Sequence, residues 1–260
     1  MNRPVLLAGL ALVVVSGCLS GSYDEDFRSS VQRYREAGDF QRLRPEPHKL
    51  AADRLTLQVP KLFEAEDETG AEPWTKPPFL QDFPGFRVAF KKSEKVAEVE
   101  LPFVFSVGAL TDNKSNPDEI KKRILAQVQK ESAFAKASWA TREVKALASK
   151  SLEWSVLKLS GQQPFERVNA GNTETKNTPG ETQIWVASNP QRKVTAVLVW
   201  RLPEELAASI PLEDLANLVA RTVEFKEAPE PAAAPDAAAG APPAGFIATS
   251  AALPKRPAGP

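Results

Sequence analysis

Residues 97–107 read Ala97-Glu-Val-Glu-Leu-Pro-Phe-Val-Phe-Ser-Val107. Ala97, Val99, Leu101, Phe103, Phe105 and Val107 share one parity, while Glu98, Glu100 and Ser106 take the other. Side chains of a strand alternate between faces, so this spacing predicts a long strand, half on the core and half in water. Pro102 offers no N–H to a ladder, which predicts an edge position or a bulge.

Working outward, shorter strands flank this one. Leu55-Thr-Leu-Gln-Val59 alternates before Pro60, and Phe86-Arg-Val-Ala-Phe90 alternates again. Downstream, Asn116-Pro-Asp-Glu119 combines a capping residue, a first-turn proline and first-turn acids, the start of a helix. Ile120, Ile124, Leu125 and Val128 form its apolar stripe, with Lys121, Lys122 and Arg123 outward. Further strands are expected at 143–147, 154–159 and 183–188, with Trp154, Trp185 and Trp200 as core residues. Val194–Trp200 is apolar on both parities, which predicts a central strand covered on both faces. Pro211 opens a last helix with Leu212, Leu215, Leu218 and Val219 inward, and Val223-Glu-Phe225 closes the domain. The order predicts one α+β domain, a largely antiparallel sheet of about six or seven strands with packed helices. With its Leu57-Gln-Val-Pro60 start and closing helix, it resembles the Mog1/PsbP-like sandwich, a fold that hosts unrelated roles.

The N-terminus carries the most specific signal. Arg3 precedes an apolar run from Pro4 to Val15, too short to span a bilayer and built like a secretory signal. It ends in Val15-Ser16-Gly17-Cys18, which resembles the lipobox of bacterial lipoproteins. That resemblance implies cleavage before Cys18, lipidation of its thiol and N-terminus, and attachment to a membrane through several acyl chains. Leu19, rather than Asp, follows the cysteine, which under the sorting rule of that family favours the outer membrane, facing the periplasm or the exterior. The whole chain is similar to uncharacterised secreted lipoproteins of planctomycete-type bacteria: lipobox, a short Tyr/Arg-bearing helix, then Val59-Pro60 and Phe63 at a strand end.

The chain divides into four segments: a signal peptide over 1–17, a lipidated N-terminus with amphipathic helix and linker over 18–52, the α+β domain over 53–226, and a tail over 227–260. Ser22-Tyr-Asp-Glu25 caps the N-terminal helix, which Gly38-Asp39 is expected to end. Arg28, Arg33, Arg35, Arg42 and Arg44 make that stretch basic, and Pro45-Glu-Pro47 makes a stiff joint after it. The tail holds thirteen alanines and eight prolines, a composition that cannot offset the entropy of ordering and is expected to be disordered.

Composition excludes several chemistries. Lys+Arg 33 against Asp+Glu 33 gives no basic excess for nucleic acid. One Cys and one His exclude an internal disulfide and Cys/His-rich metal sites. His48, between Pro47 and Lys49, reads as a solvated linker residue rather than a catalytic imidazole. No Walker-type loop or dinucleotide fingerprint is present, so no cofactor is expected. Asn113-Lys-Ser115 matches a glycosylation sequon by chance composition. Two loops remain as binding candidates. Residues 64–85 carry Trp74, Phe79 and Phe83 among prolines, able to clamp a ligand or to plug the core. Residues 161–182 are polar and read as a mobile hairpin loop. The expected function is a lipid-anchored, non-catalytic envelope module that binds a protein or a cell-wall polymer. A carboxylate-based envelope hydrolase and a small-ligand carrier are the alternatives.

Overall fold

The computed structural model describes residues 38–64, 67–70, 80, 85–111, 116–147 and 151–227. Cys18 and its lipobox, the capped helix start, Trp74, Phe79, Phe83, the sequon and the tail beyond residue 227 lie outside the described residues. In chain order the elements are β1 (His48–Leu50), β2 (Leu55–Leu57), β3 (Glu68–Gly70), β4 (Phe86–Val96), β5 (Val99–Thr111) and α1 (Pro117–Val128). Then come β6 (Ala140–Val144), β7 (Leu152–Asn169), β8 (Asn172–Asn189), β9 (Val194–Pro203), α2 (Leu212–Ala220) and β10 (Glu224–Phe225).

The fold is α+β. Among the described residues, a seven-stranded antiparallel sheet runs β3-β4-β5-β9-β8-β7-β6, and a small sheet runs β1-β2-β10. The large sheet has a core on each face. On one, Phe103, Phe105, Trp185 and Trp200 pack with Leu55, Leu57 and Phe225 of the small sheet and with Leu212 and Leu215 of α2. On the other, Val197, Val199, Ile184 and Leu157 pack against Ile120, Ile124 and Val128 of α1.

This second core corrects the reading of residues 97–107. Residues 101–110 of β5 are buried on both parities, because α1 covers the face that carries Ser106. Ala97 is not in the strand but in the turn before it, with φ 55°. Nor is Pro102 on an edge strand. It pairs with Ser93 on one side, and on the other it falls between the partners of β7, ending at Glu100, and those of β9, beginning at Val104. The missing N–H is tolerated at this break in the ladder. By contrast, β9 is buried at all ten positions, the covered central strand its composition predicts.

Helix signals hold locally. Asn116 caps α1, its Oδ1 accepting from the Asp118 N–H at 3.1 Å. Leu125 is only partly buried, so the stripe narrows to Ile120, Ile124 and Val128. Pro211 stands one residue before α2, whose Leu212, Leu215, Leu218 and Val219 are buried. Residues 38–40 are helical, so Gly38-Asp39 lies within helix.

Three further readings change. The packed unit begins before residue 53: Leu43 and Leu50 are buried, and Asp53 lies in the β1–β2 turn. His48 is in strand β1, half-buried, edge-on to Phe90 with centroids 5.5 Å apart and Nδ1 3.8 Å from Glu68. Residues 161–182 are not a loop but the outer arm of the β7–β8 hairpin, which turns only at Ala170-Gly171. Being polar on both parities, the arm hides the alternation that marks a strand.

Candidate functional site

Two tight turns, Pro60–Phe63 and Leu206–Ile210, shape a groove. Residues 42–44 run antiparallel beside 59–61: Arg44 N–H donates to Val59 O at 2.8 Å, and Lys61 N–H to Arg42 O at 2.8 Å. The Arg44 guanidinium secures the pair by donating to Phe63 O, at 2.9 Å from its Nε. Opposite them, Ser209 and Ile210 N–H groups both donate to Leu206 O at 3.0 Å, which turns the chain into α2. Between the two lies a groove of about 330 Å³. Leu62, Ile210, Pro211 and Leu215 give it an apolar floor, Arg42 and Lys61 a cationic rim, and Glu94 one acidic side. Arg42 also lines an adjoining polar shelf of about 300 Å³, with Asp39, Asp214, Asn217, Leu218 and Arg221. The Arg221 guanidinium lies over the Phe40 ring, 4.9 Å from its centroid.

This arrangement suits binding better than bond cleavage. Ser209 is the hydroxyl of the groove; its Oγ donates to Leu206 O at 3.0 Å and stands 3.5 Å from Glu94. Nucleophilic activation of a serine requires a positioned base, and His48 lies instead in the small sheet. Glu213 on α2 accepts from Arg142 at 2.7 Å and Lys158 at 2.6 Å. These bonds hold its carboxyl below the usual range, where a general acid would need the opposite shift. Among the described residues no three His, Cys, Asp or Glu side chains gather as a metal site.

A second polar cluster lies under the hairpin arm. Lys91, Val104, Arg201, Thr182 and Leu159 are consecutive register partners across β4, β5, β9, β8 and β7. Beyond that row Gly161, at φ 133°, bends β7, and its partner is Gly180. Gln163 locks the bend: buried, its amide donates to Leu159 O at 2.9 Å and Gly180 O at 3.1 Å and accepts from Thr182 at 2.6 Å. The arm then reaches β5, pairing Val168 and Asn169 with Glu100 and Val99. It covers Arg201, which is 6% exposed and donates to Pro164 O. Burial pushes the Arg201 guanidinium down from its ordinary value to about 10, against the opposing field of Glu166, so it stays cationic at neutral pH.

Of the sequence candidates, the 64–85 connection contributes one described residue of note. Leu80 is buried in the second core with Phe86 and Leu110, so a leucine at this point of the loop plugs the core. Sequence reasoning missed the groove, although Pro60 and Pro211 at its two turns were visible as chain punctuation.

No family model matches the chain, and no curated protein matches it. Among solved structures it is similar to cyanobacterial PsbP from Synechocystis sp. PCC 6803, at 11% identity over 70% of this chain and 92% of that one, TM-score 0.37. It is similar also to the Ran-binding protein Mog1p of Saccharomyces cerevisiae, at 10% identity over 71% and 97%, TM-score 0.32. A protein from Bacteroides thetaiotaomicron VPI-5482 is 12% identical over 70% of this chain and 48% of its own, TM-score 0.33.

Proposed function

We propose that this is a lipid-anchored envelope protein whose α+β domain is a non-catalytic binding module for an envelope protein or a cell-wall polymer. The anchor rests on Val15-Ser16-Gly17-Cys18 behind its apolar run. Acyl chains on Cys18 hold the protein at a membrane, the outer membrane being favoured by Leu19. The observation that carries the binding reading is the groove beside α2, with its apolar floor and the Arg42 and Lys61 rim. Apolar floors with a few convergent polar groups favour ligands that bury surface and fix orientation by hydrogen bonds.

Two measurements test this. A palmitate analogue should label the wild type and not Cys18→Ala; equal labelling of both removes the anchor. In crosslinked envelopes the wild type should retain a partner that Arg42→Glu/Lys61→Glu loses at unchanged abundance. Recovery of the same partner by both proteins would remove the groove from the reading.

A further inference from the structure

Three polar atoms on or against the hairpin arm are buried without a hydrogen-bond partner: Arg201 Nε, Arg167 Nε and Thr178 Oγ1. Leaving such groups unmet is unfavourable, and native structures keep few of them. Their concentration under one polar ribbon needs a reason. Besides Gln163 at its base and the pairing with β5, the ribbon is fastened by charge. Lys91 Nζ stands 2.9 Å from Glu166 Oε2, Arg167 pairs with Glu205, and Arg201 donates to Pro164 O. Phe165 is the large apolar side chain of the arm that is fully buried, stacked under the Arg201 guanidinium at 5.1 Å. At its far end residues 170–177 are exposed on both parities.

Arg201 and Lys91 stand on the same face, two strands apart, separated only by Val104. Two cations so placed, one of them almost wholly buried, form the floor of an anion site, and Glu166 is the anion that fills it from the arm. We propose that residues 162–179 are a displaceable lid over a carboxylate-binding site built by Arg201 and Lys91, with Glu166 as its internal occupant. The ligand is an acidic peptide segment, whose carboxylates replace Glu166 and meet the Arg201 Nε, while displacement exposes Arg167 Nε and Thr178 Oγ1 on the lid to water. Guanidinium groups recognise carboxylates with paired donors, and Arg201 has its Nε still to offer. This site is separate from the groove beside α2 and does not depend on it.

The test uses the full chain and a fluorescein-labelled hexaglutamate peptide, with hexaglutamine as control. Glu166→Gln removes the competing charge and keeps the shape. It should bind hexaglutamate about tenfold more tightly than the wild type, since the binding-competent fraction rises. Adding Arg201→Met should abolish that gain, and hexaglutamine should not bind. A second variant keeps the proposal testable should Glu166→Gln fail to fold. Val99→Cys/Asn169→Cys joins register partners at a spacing a disulfide can bridge. Oxidised, it holds the lid closed and should lose hexaglutamate binding; reduced, it should regain it. A folded Glu166→Gln protein with wild-type affinity, or equal binding by the oxidised and reduced forms, would overturn the proposal.

Discussion

Phe105 and Trp200 stack with ring centroids 3.8 Å apart and planes 11° from parallel. They are register partners on β5 and β9, so the ladder itself sets the contact. Phe103 extends the stack, 6.1 Å from Trp200, and Phe63 lies 5.2 Å from Phe103. The first core is thus organised around an aromatic column rather than around aliphatic packing alone.

Truncating that column should be among the most damaging single changes. Trp200→Ala should cost about 3–5 kcal/mol in urea unfolding, the range for a large buried aromatic. Trp200→Phe should cost far less, because it keeps a ring and removes an indole N–H that has no partner. Equal losses for the two variants would show that a ring retained at position 200 contributes nothing to the column.

Glu213 ties α2 to β6 and β7 through Arg142 and Lys158. All three side chains are a third or more exposed, so Glu213→Gln should cost no more than about 1 kcal/mol. The folded carboxyl is depressed, so its contribution is present above the unfolded-state value and disappears as pH falls through the folded one. Wild type and variant should therefore differ in melting temperature at neutral pH and converge in acid. A gap that widens on acidification would contradict the assignment.

Gly180 is required by its neighbours. A Cβ there would stand 2.5 Å from Phe165 Cζ and 2.7 Å from Leu202 O. Gly180→Ala should cost about 1–3 kcal/mol, the usual range for overpacking, and should speed amide exchange in residues 162–168 more than in 184–188. Pairing it with Phe165→Ala should recover part of the exchange protection at Gly180's strand, since only the ring clash is relieved. Full additivity of the two losses would mean the ring does not sit on Gly180.

Asn116→Ala should destabilise the protein by about 1 kcal/mol by freeing the Asp118 N–H at the start of α1. Asn116→Asp should retain most of the stability, since its carboxylate can accept the same bond. Thermal melts of the three proteins settle the ranking.

Much of the fold was legible where a residue's local role and its tertiary role coincide. Asn116 caps because its side chain suits that geometry anywhere, and Val194–Trp200 is apolar on both parities because both faces are covered. The reading failed where tertiary contacts intervene. Ser106 looks like a water-facing residue, yet α1 closes over its face, so alternation there reports the two cores rather than core and solvent. Polar residues between Gln162 and Pro179 look like a loop, because a hairpin arm that covers the polar row at Arg201 and Lys91 and is exposed beyond Ala170 buries little apolar surface. His48 looks solvated between its neighbours, and only the return of β2 places it against Phe90. The groove was illegible for the same reason: Arg42, Lys61 and Ile210 are brought together by turns far apart in sequence.

The small sheet joins the two ends of the domain, with β2 flanked by β1 and by β10, the last strand described. Thr56 and Leu55 therefore wait for Glu224 and Phe225 before their ladder is complete. During synthesis this polypeptide cannot seal its first core until about 170 further residues have left the ribosome, and such non-local closure is slow. For a protein proposed to leave the cytoplasm, that delay is useful. Were the chain exported as proposed, it would stay threadable through a translocation pore during elongation and complete its first core only after the last strand had crossed.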